Sequence, residues 1–141
     1  MPSSFTLFSS FKKYLMDGTI DLDTHELKLA LLSDSHTPAR ANTIYDHVSG
    51  EELADGNGYS TGGAALTGVT WGQTDGVAVL DAENPSWAGA TFTARYAALY
   101  QNQGIKPLIK LFDYLADKSV TAGTFSHVFH ASGILRVKEA T

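Results

Sequence analysis

The sequence predicts a mainly-β domain, an antiparallel β-sandwich or a small barrel, with a short N-terminal helix and a long irregular loop. Three observations support this fold class. From Glu26 onward the apolar residues recur with a period of two, the period of a strand. Turns rich in Gly, Asp and Asn separate seven or eight such stretches. No helical pattern lies between successive strands to form a parallel crossover, so antiparallel pairing is expected.

Length and composition predict one domain, residues 1–141, and exclude several classes of protein. The chain has no cysteine, so it has neither a disulfide framework nor a thiolate metal site. Hydrophobic residues make up 43% of it, a proportion typical of an ordered globular protein. The net charge of −5 and the scattered basic residues argue against direct binding to nucleic acid. No apolar run approaches the roughly 20 residues of a membrane span.

The N-terminus lacks the basic region of a signal peptide, so we expect the protein to be made in the cytoplasm and to have no membrane partner.

Residues 5–16 predict a short amphipathic helix. Phe8, Phe11 and Leu15 lie on one face of it, and Asp17-Gly18 supplies a stop. Two interpretations of the apolar face are open. It covers the domain's own β-layer, or it docks onto a neighbouring subunit.

The strands are predicted from alternation and from the turns between them. Residues 27–32 indicate a well-buried strand, and residues 69–71 and 77–79 flank a turn at 73–76 and indicate a hairpin. Residues 91–101 form the longest predicted strand, which leads through a turn into a strand at 108–114. Its alternation puts five side chains on one face: Phe92, Ala94, Tyr96, Ala98 and Tyr100. Residues 125–130 and 134–138 predict a last strand pair.

Residues 34–63 have little apolar periodicity and predict the irregular loop. Ser49 and Glu52 fit a capping box, which indicates one helical turn inside it. The loop carries five acidic residues and one basic residue, Arg40, so it holds −4 of the net charge of −5. We therefore expect this loop and the N-terminal segment to meet a partner.

A search for catalytic and metal-binding patterns predicts no catalytic, cofactor-binding or metal-ligating residue. His127 and His130 are three apart in a predicted strand, so their side chains point to opposite faces. Asp21 and Asp23 lack the further ligands of a calcium loop. The glycine-rich run at 56–63 lacks the Gly-Lys-Ser/Thr ending of a phosphate-binding loop. We therefore expect a protein that is not an enzyme and needs no cofactor.

Aromatic and apolar residues supply the predicted partner interface. Six aromatic residues are candidates for binding groups, although most of them are expected to lie in the core or at its edge: Tyr45, Tyr59, Trp71, Trp87, Tyr96 and Tyr100. Tyr45 and Tyr59 are favoured among them because they lie in the irregular loop and because aromatic residues are enriched at interface hot spots. The N-terminal segment adds four more residues to the predicted interface: Phe5, Leu7, Phe8 and Phe11.

Three stretches resemble a family of small virion proteins encoded in the structural-gene regions of tailed bacteriophages. They are Gly-Thr-Ile-Asp-Leu-Asp-Thr-His-Glu-Leu-Lys-Leu-Ala-Leu-Leu at 18–32, Gly-Asn-Gly-Tyr-Ser-Thr-Gly-Gly-Ala-Ala-Leu at 56–66 and Thr-Phe-Thr-Ala-Arg-Tyr-Ala-Ala-Leu-Tyr at 91–100. With the Trp87 region and Ala-Ser-Gly-Ile-Leu at 131–135, the resemblance covers roughly residues 11–137. None of these motifs is a catalytic signature.

The resemblance implies a capsid decoration, or cement, protein on the outside of the virion. It would be present in many copies, bind the major capsid protein and other virion proteins, and form a homo-oligomer such as a trimer. A tail, collar or head–tail connection component is an alternative of the same class. A carbohydrate-binding module of the virion and an uncharacterised hydrolase are alternatives of other classes.

Overall fold

The computed structural model describes residues 7–138, which form two antiparallel sheets and one short helix. The elements are α1 (Phe11–Met16), β1 (Leu27–Leu32), β2 (Ala64–Ala65), β3 (Thr70–Thr74), β4 (Val77–Asp81), β5 (Ser86–Gln101), β6 (Leu108–Ser126) and β7 (Leu135–Val137). One sheet has the order β2-β1-β5-β6 and the other β3-β4-β7. The predicted mainly-β, antiparallel fold is confirmed, and the architecture corresponds to a sandwich rather than a closed barrel.

Strand β1 is apolar on both faces because the larger sheet is covered on both sides. Leu29 and Leu31 belong to a cluster that also contains Leu80 and Leu135 of the smaller sheet. We call this the inter-sheet cluster. Leu32 belongs to a second group of buried side chains, which we call the loop-side cluster: Phe8, Ala30, Leu32, Tyr45, Val48, Tyr96, Ala98, Tyr100, Leu108 and Leu111. The irregular loop therefore covers the second face of the sheet.

The hairpin of β5 and β6 is longer than the sequence predicts, and it contains a bulge. Ala94 pairs with Lys118, whereas Tyr96, two residues on, pairs with Asp113. The extra residues of β6 include Leu115, whose φ is +66°. A bulge reverses the alternation of side chains, so Ala94 lies in the inter-sheet cluster and Tyr96 in the loop-side cluster. The prediction that residues 92–100 keep one apolar face is wrong for this reason.

The predicted hairpin at 69–79 is confirmed as β3 and β4. Thr74 pairs with Val77 across a two-residue turn. Asp75 and Gly76 have φ values of +54° and +79°. Positive φ at both turn residues is the type I′ geometry that matches the twist of the strands, and Asp-Gly is a preferred sequence for it.

Of the predicted strand pair at 125–130 and 134–138, the second strand is confirmed as β7, whereas the pairing between the two segments is wrong. Strand β6 continues to Ser126 and ends there, and β7 pairs with β4, not with the segment before it. His127 N–H donates to the carbonyl of Pro85 at 3.0 Å, and Ile134 N–H donates to the carbonyl of Leu80 at 2.7 Å. These bonds carry the chain from the larger sheet across to the smaller one, so residues 127–134 join the two layers.

The N-terminal helix is shorter than predicted, and its apolar face packs inside the domain. Helix α1 begins at Phe11, and Leu7 forms an antiparallel bridge with Lys110. Phe8 lies in the loop-side cluster and Phe11 in the inter-sheet cluster. The predicted helical residues before Leu7 lie outside the described residues. Within residues 7–138 no helix is long and apolar enough to cross a membrane.

The irregular loop contains the predicted helical turn, in the form of two 3₁₀ turns, Tyr45–His47 and Ser49–Glu51. The predicted capping box is wrong. Ser49 lies inside the second turn, and the Glu52 side chain reaches tyrosine hydroxyls instead of the backbone of Ser49.

Candidate partner-binding groove

Most of the predicted interface residues within 7–138 are buried in the chain's own core. Four of them are almost inaccessible to solvent: Phe8, Phe11, Tyr45 and Tyr59. Leu7 is half-buried, and Phe5 lies outside the described residues. The expectation that Tyr45 and Tyr59 are exposed is therefore wrong. The partner interface itself stays a prediction.

The side chains of Tyr45 and Tyr59 point into the domain, where they hold the irregular loop on the sheet. Both hydroxyls donate to the carboxylate of Glu52, one to each oxygen, and Gly62 N–H donates to Oε2 at 2.7 Å. The hydroxyl of Tyr59 also accepts from Leu31 N–H at 3.1 Å. Burial, followed by the bond to Glu52, raises the pKa of Tyr59 and of Tyr45, so both hydroxyls remain protonated donors. Glu52 therefore joins the loop to strand β1.

Two further acidic residues of the loop are also engaged within the fold. The Glu51 carboxylate lies 3.2 Å from Nδ1 of His36, and Asp55 accepts from Thr61 N–H at 3.0 Å. Together with Glu52, three of the five acidic residues help to shape the loop. The side chains of Asp34 and Asp46 remain exposed. A large share of the charge that marks this loop in the sequence thus serves its structure.

An open apolar groove lies between α1 and β7. Its volume is about 410 Å³, and five apolar side chains line it: Leu7, Phe11, Leu15, Met16 and Val137. Met16 is 87% exposed and Val137 39% exposed, so both are large apolar side chains left in solvent. Contiguous apolar surface that stays in water marks an interaction site more often than single exposed residues do. Two of the predicted interface residues, Leu7 and Phe11, form part of this groove.

Local sequence and pairing explain how the groove is held open. Phe11 anchors α1 in the inter-sheet cluster, and the helix ends at Asp17, whose N–H donates to the carbonyl of Lys13 at 2.9 Å. Met16 therefore sits in the last turn, on the side away from the core. Across the groove, β7 is the edge strand of the smaller sheet and pairs only with β4 among the described strands.

The rim of the groove is positively charged. Lys12, Arg136 and Lys138 line it, and among residues 7–138 no Asp or Glu does. Each of the three is exposed, and within residues 7–138 none of their side chains has a hydrogen bond or an ion pair. Lys13, by contrast, is paired with Asp17 at 3.0 Å. In a chain of net charge −5, this rim is a local concentration of unpaired cations.

One of the histidines, His127, belongs to the core of the domain. His127 is buried beside Phe112 and Phe129, and its Nδ1 lies 2.6 Å from the hydroxyl oxygen of Tyr114. Burial, with a smaller effect of Lys110, lowers the pKa of His127 to about 4. The ring is therefore neutral at neutral pH. Among residues 7–138 no group of three His, Asp or Glu side chains is placed to hold a metal ion.

Comparisons with protein-family models, with curated proteins and with solved structures found no match to this chain.

Sequence reasoning missed the residues that complete the groove. Met16 and Lys12 come from the predicted helix, but Arg136, Val137 and Lys138 come from the other end of the chain. The only local signal is an apolar pair, Leu15 and Met16, directly before the predicted helix stop. Nothing local indicates that β7 lies beside α1, because that contact is set by the pairing of β7 with β4.

Proposed function

We propose that this chain is a non-enzymatic structural protein of a tailed-phage particle, a capsid decoration protein that binds the major capsid protein through the α1–β7 groove. The observation that carries the proposal is the groove itself, which leaves Met16 and Val137 in solvent beside unpaired cations. The resemblance of residues 18–32, 56–66 and 91–100 to phage virion proteins supports the identity of the particle.

The rest of the domain suits a protein whose task is contact. Around β1 the larger sheet is covered on both faces, and Glu52 fastens the loop that covers one of them. A surface held rigid before binding loses little conformational freedom on binding, which favours affinity. A homo-oligomer such as a trimer would multiply each weak contact by avidity.

Binding of the purified chain to capsids that lack it tests the proposal. We expect stoichiometric binding and a higher temperature of capsid disruption for the natural chain. Val137→Asp places a charge in the groove and should abolish both effects. Val128→Asp is the matched control, because Val128 is 72% exposed and lies outside the groove lining. Capsids that bind none of the natural chain, or that gain no heat resistance from it, would refute the decoration role.

A tail, collar or head–tail connection component would use the same kind of contact at a much lower copy number per particle.

A carbohydrate-binding module would need exposed aromatic rings on which sugars stack. Of the six aromatic residues considered for binding, five are buried: Tyr45, Tyr59, Trp87, Tyr96 and Tyr100. Trp71 is half-buried, so none of these six residues offers a fully exposed ring for stacking.

A further inference from the structure

We infer that the α1–β7 groove recognises a segment of the major capsid protein in which an apolar side chain is flanked by carboxylates. This deepens the proposed function, on which it rests for the source of the segment. The recognition chemistry follows from the residues that line the groove.

The floor of the groove determines the apolar part of the segment. The volume of about 410 Å³ lies within the roughly 300–1,000 Å³ of typical ligand sites. Its floor contains Phe11, fixed in the core, and its walls contain Leu15 and Val137 from two different elements. Since these walls face each other across open space, an inserted apolar side chain would be contacted from both sides and would cover Met16.

The rim determines the charge of the flanking residues. Lys12 lies on the helix side, and Arg136 and Lys138 lie on the strand side. A segment that crosses the groove would pass cations on both sides, and no carboxylate among the described lining residues competes for them. Arg136 can hold a carboxylate through two parallel hydrogen bonds, a geometry that lysine lacks. A basic segment would meet three like charges and be rejected.

The same chemistry fits a membrane or a nucleic acid less well. Membrane-binding helices present a convex apolar face, whereas this surface is concave and α1 has only six residues. Nucleic-acid sites neutralise many phosphates with clustered cations, and here three cations lie on a chain of net charge −5. The groove therefore favours a protein partner.

Selection from a display library of random peptides of about 12 residues, with the full chain as bait, tests this inference. Peptides retained by the natural chain should combine an apolar residue with neighbouring Asp or Glu. Two single variants, Val137→Asp and Met16→Asp, should fail to retain them, and Val128→Asp should retain them. Both variants change exposed side chains, and circular dichroism and thermal melts are the measurements that check whether each remains folded.

Charge reversal provides the sharper comparison. In the triple variant K12E/R136E/K138E, synthetic copies of the selected peptides should bind at least about tenfold more weakly than to the natural chain. Peptides selected on that variant should carry Lys or Arg in place of Asp and Glu. Affinity for the natural chain should also fall as salt rises, because the rim is exposed to solvent.

Several outcomes would overturn the inference. They are peptides without acidic residues, equal retention by Val137→Asp, or groove-dependent binding to phosphatidylglycerol vesicles, which would assign the groove to a membrane. Peptide binding seen only after residues 1–6 are deleted would assign the groove to the chain's own N-terminal segment. Acidic peptides retained by a chain that binds no capsid would refute the decoration role alone. Capsid binding that depends on Val137 but not on the rim charges would refute this inference alone.

Discussion

The hydroxyl of Tyr59 donates to the carboxylate of Glu52 and accepts from the backbone N–H of Leu31. One side chain thus connects an acidic residue of the irregular loop to the centre of the larger sheet. Glu52 also accepts from Tyr45 and from Gly62 N–H. The loop is consequently part of the folded core, although it has almost no regular secondary structure.

Removing the Tyr59 hydroxyl tests this connection. Tyr59→Phe leaves the buried Leu31 N–H without its acceptor and leaves Glu52 Oε2 with Gly62 N–H as its remaining donor. We expect a loss of about 2 kcal/mol in the free energy of unfolding, measured with urea. Tyr14→Phe is the control, because the Tyr14 hydroxyl makes no hydrogen bond within residues 7–138. Equal losses for the two variants would show that the Glu52 contacts contribute nothing specific.

The fourth glycine of the 56–66 motif, Gly63, tests the packing of the loop on β1. Gly63 has φ of +87°, and a Cβ there would lie 2.0 Å from the carbonyl oxygen of Leu29. Gly63→Ala should therefore destabilise the protein by about 3 kcal/mol or more, because backbone has to move. At Gly72 φ is not positive and nothing lies within 4 Å of the added Cβ. Gly72→Ala should leave the melting temperature nearly unchanged, and a similar loss at both positions would contradict the structure.

The bulge of β6 predicts a stabilising substitution. Leu115 has φ of +66° and is 63% exposed, so it bears the strain of the left-handed region and gains little burial. Leu115→Gly should raise the free energy of unfolding by about 0.5–1 kcal/mol. Val128→Gly, at another exposed position without positive φ, should not stabilise. A destabilised Leu115→Gly variant would indicate that the Leu115 side chain makes contacts that outweigh the strain.

His127 predicts a loss of stability in mild acid. Burial lowers its pKa from 6.5 to about 4, so the imidazole ring stays neutral in the folded protein. The stability that depends on a neutral His127 is fully present above pH 6.5. It is lost as the pH falls toward 4, because the unfolded chain then takes up a proton that the folded chain does not. The loss should approach roughly 3 kcal/mol.

A variant without the imidazole isolates that effect. His127→Phe retains a ring beside Phe112 and Phe129 but cannot take up a proton. Its free energy of unfolding should change less than that of the natural chain between pH 6.5 and 4. His130→Gln, at an exposed position, should leave the natural pH dependence in place. Identical curves for His127→Phe and the natural chain would exclude His127 as the source.

Local patterns predict a large part of this fold. The alternation of Leu27, Leu29 and Leu31 indicates β1, and Asp75-Gly76 indicates the β3–β4 turn, because both features depend on neighbouring residues alone. The partner of β7 cannot be predicted in this way, since it is set by hydrogen bonds between residues far apart in the chain. The bulge beside Tyr96 is also invisible in the alternation, which continues unbroken through residues 92–100.

The candidate site was predicted in part for a similar reason. The apolar pattern near the N-terminus identifies Leu7 and Phe11, which line the groove. The same reasoning selects Tyr45 and Tyr59, because an aromatic residue in an irregular, acidic loop looks exposed. Their burial follows from Glu52, whose carboxylate needs hydrogen-bond donors, and a sequence does not reveal which donors reach it.

Electron cryo-microscopy of capsids mixed with the purified chain tests the central claim most directly. We predict stoichiometric density on the outer surface of the shell, with the groove formed by Met16, Arg136 and Val137 against the major capsid protein. The same density should be present with Val128→Asp and missing with Val137→Asp. Density that places the groove in solvent, or that persists with Val137→Asp, would contradict the account.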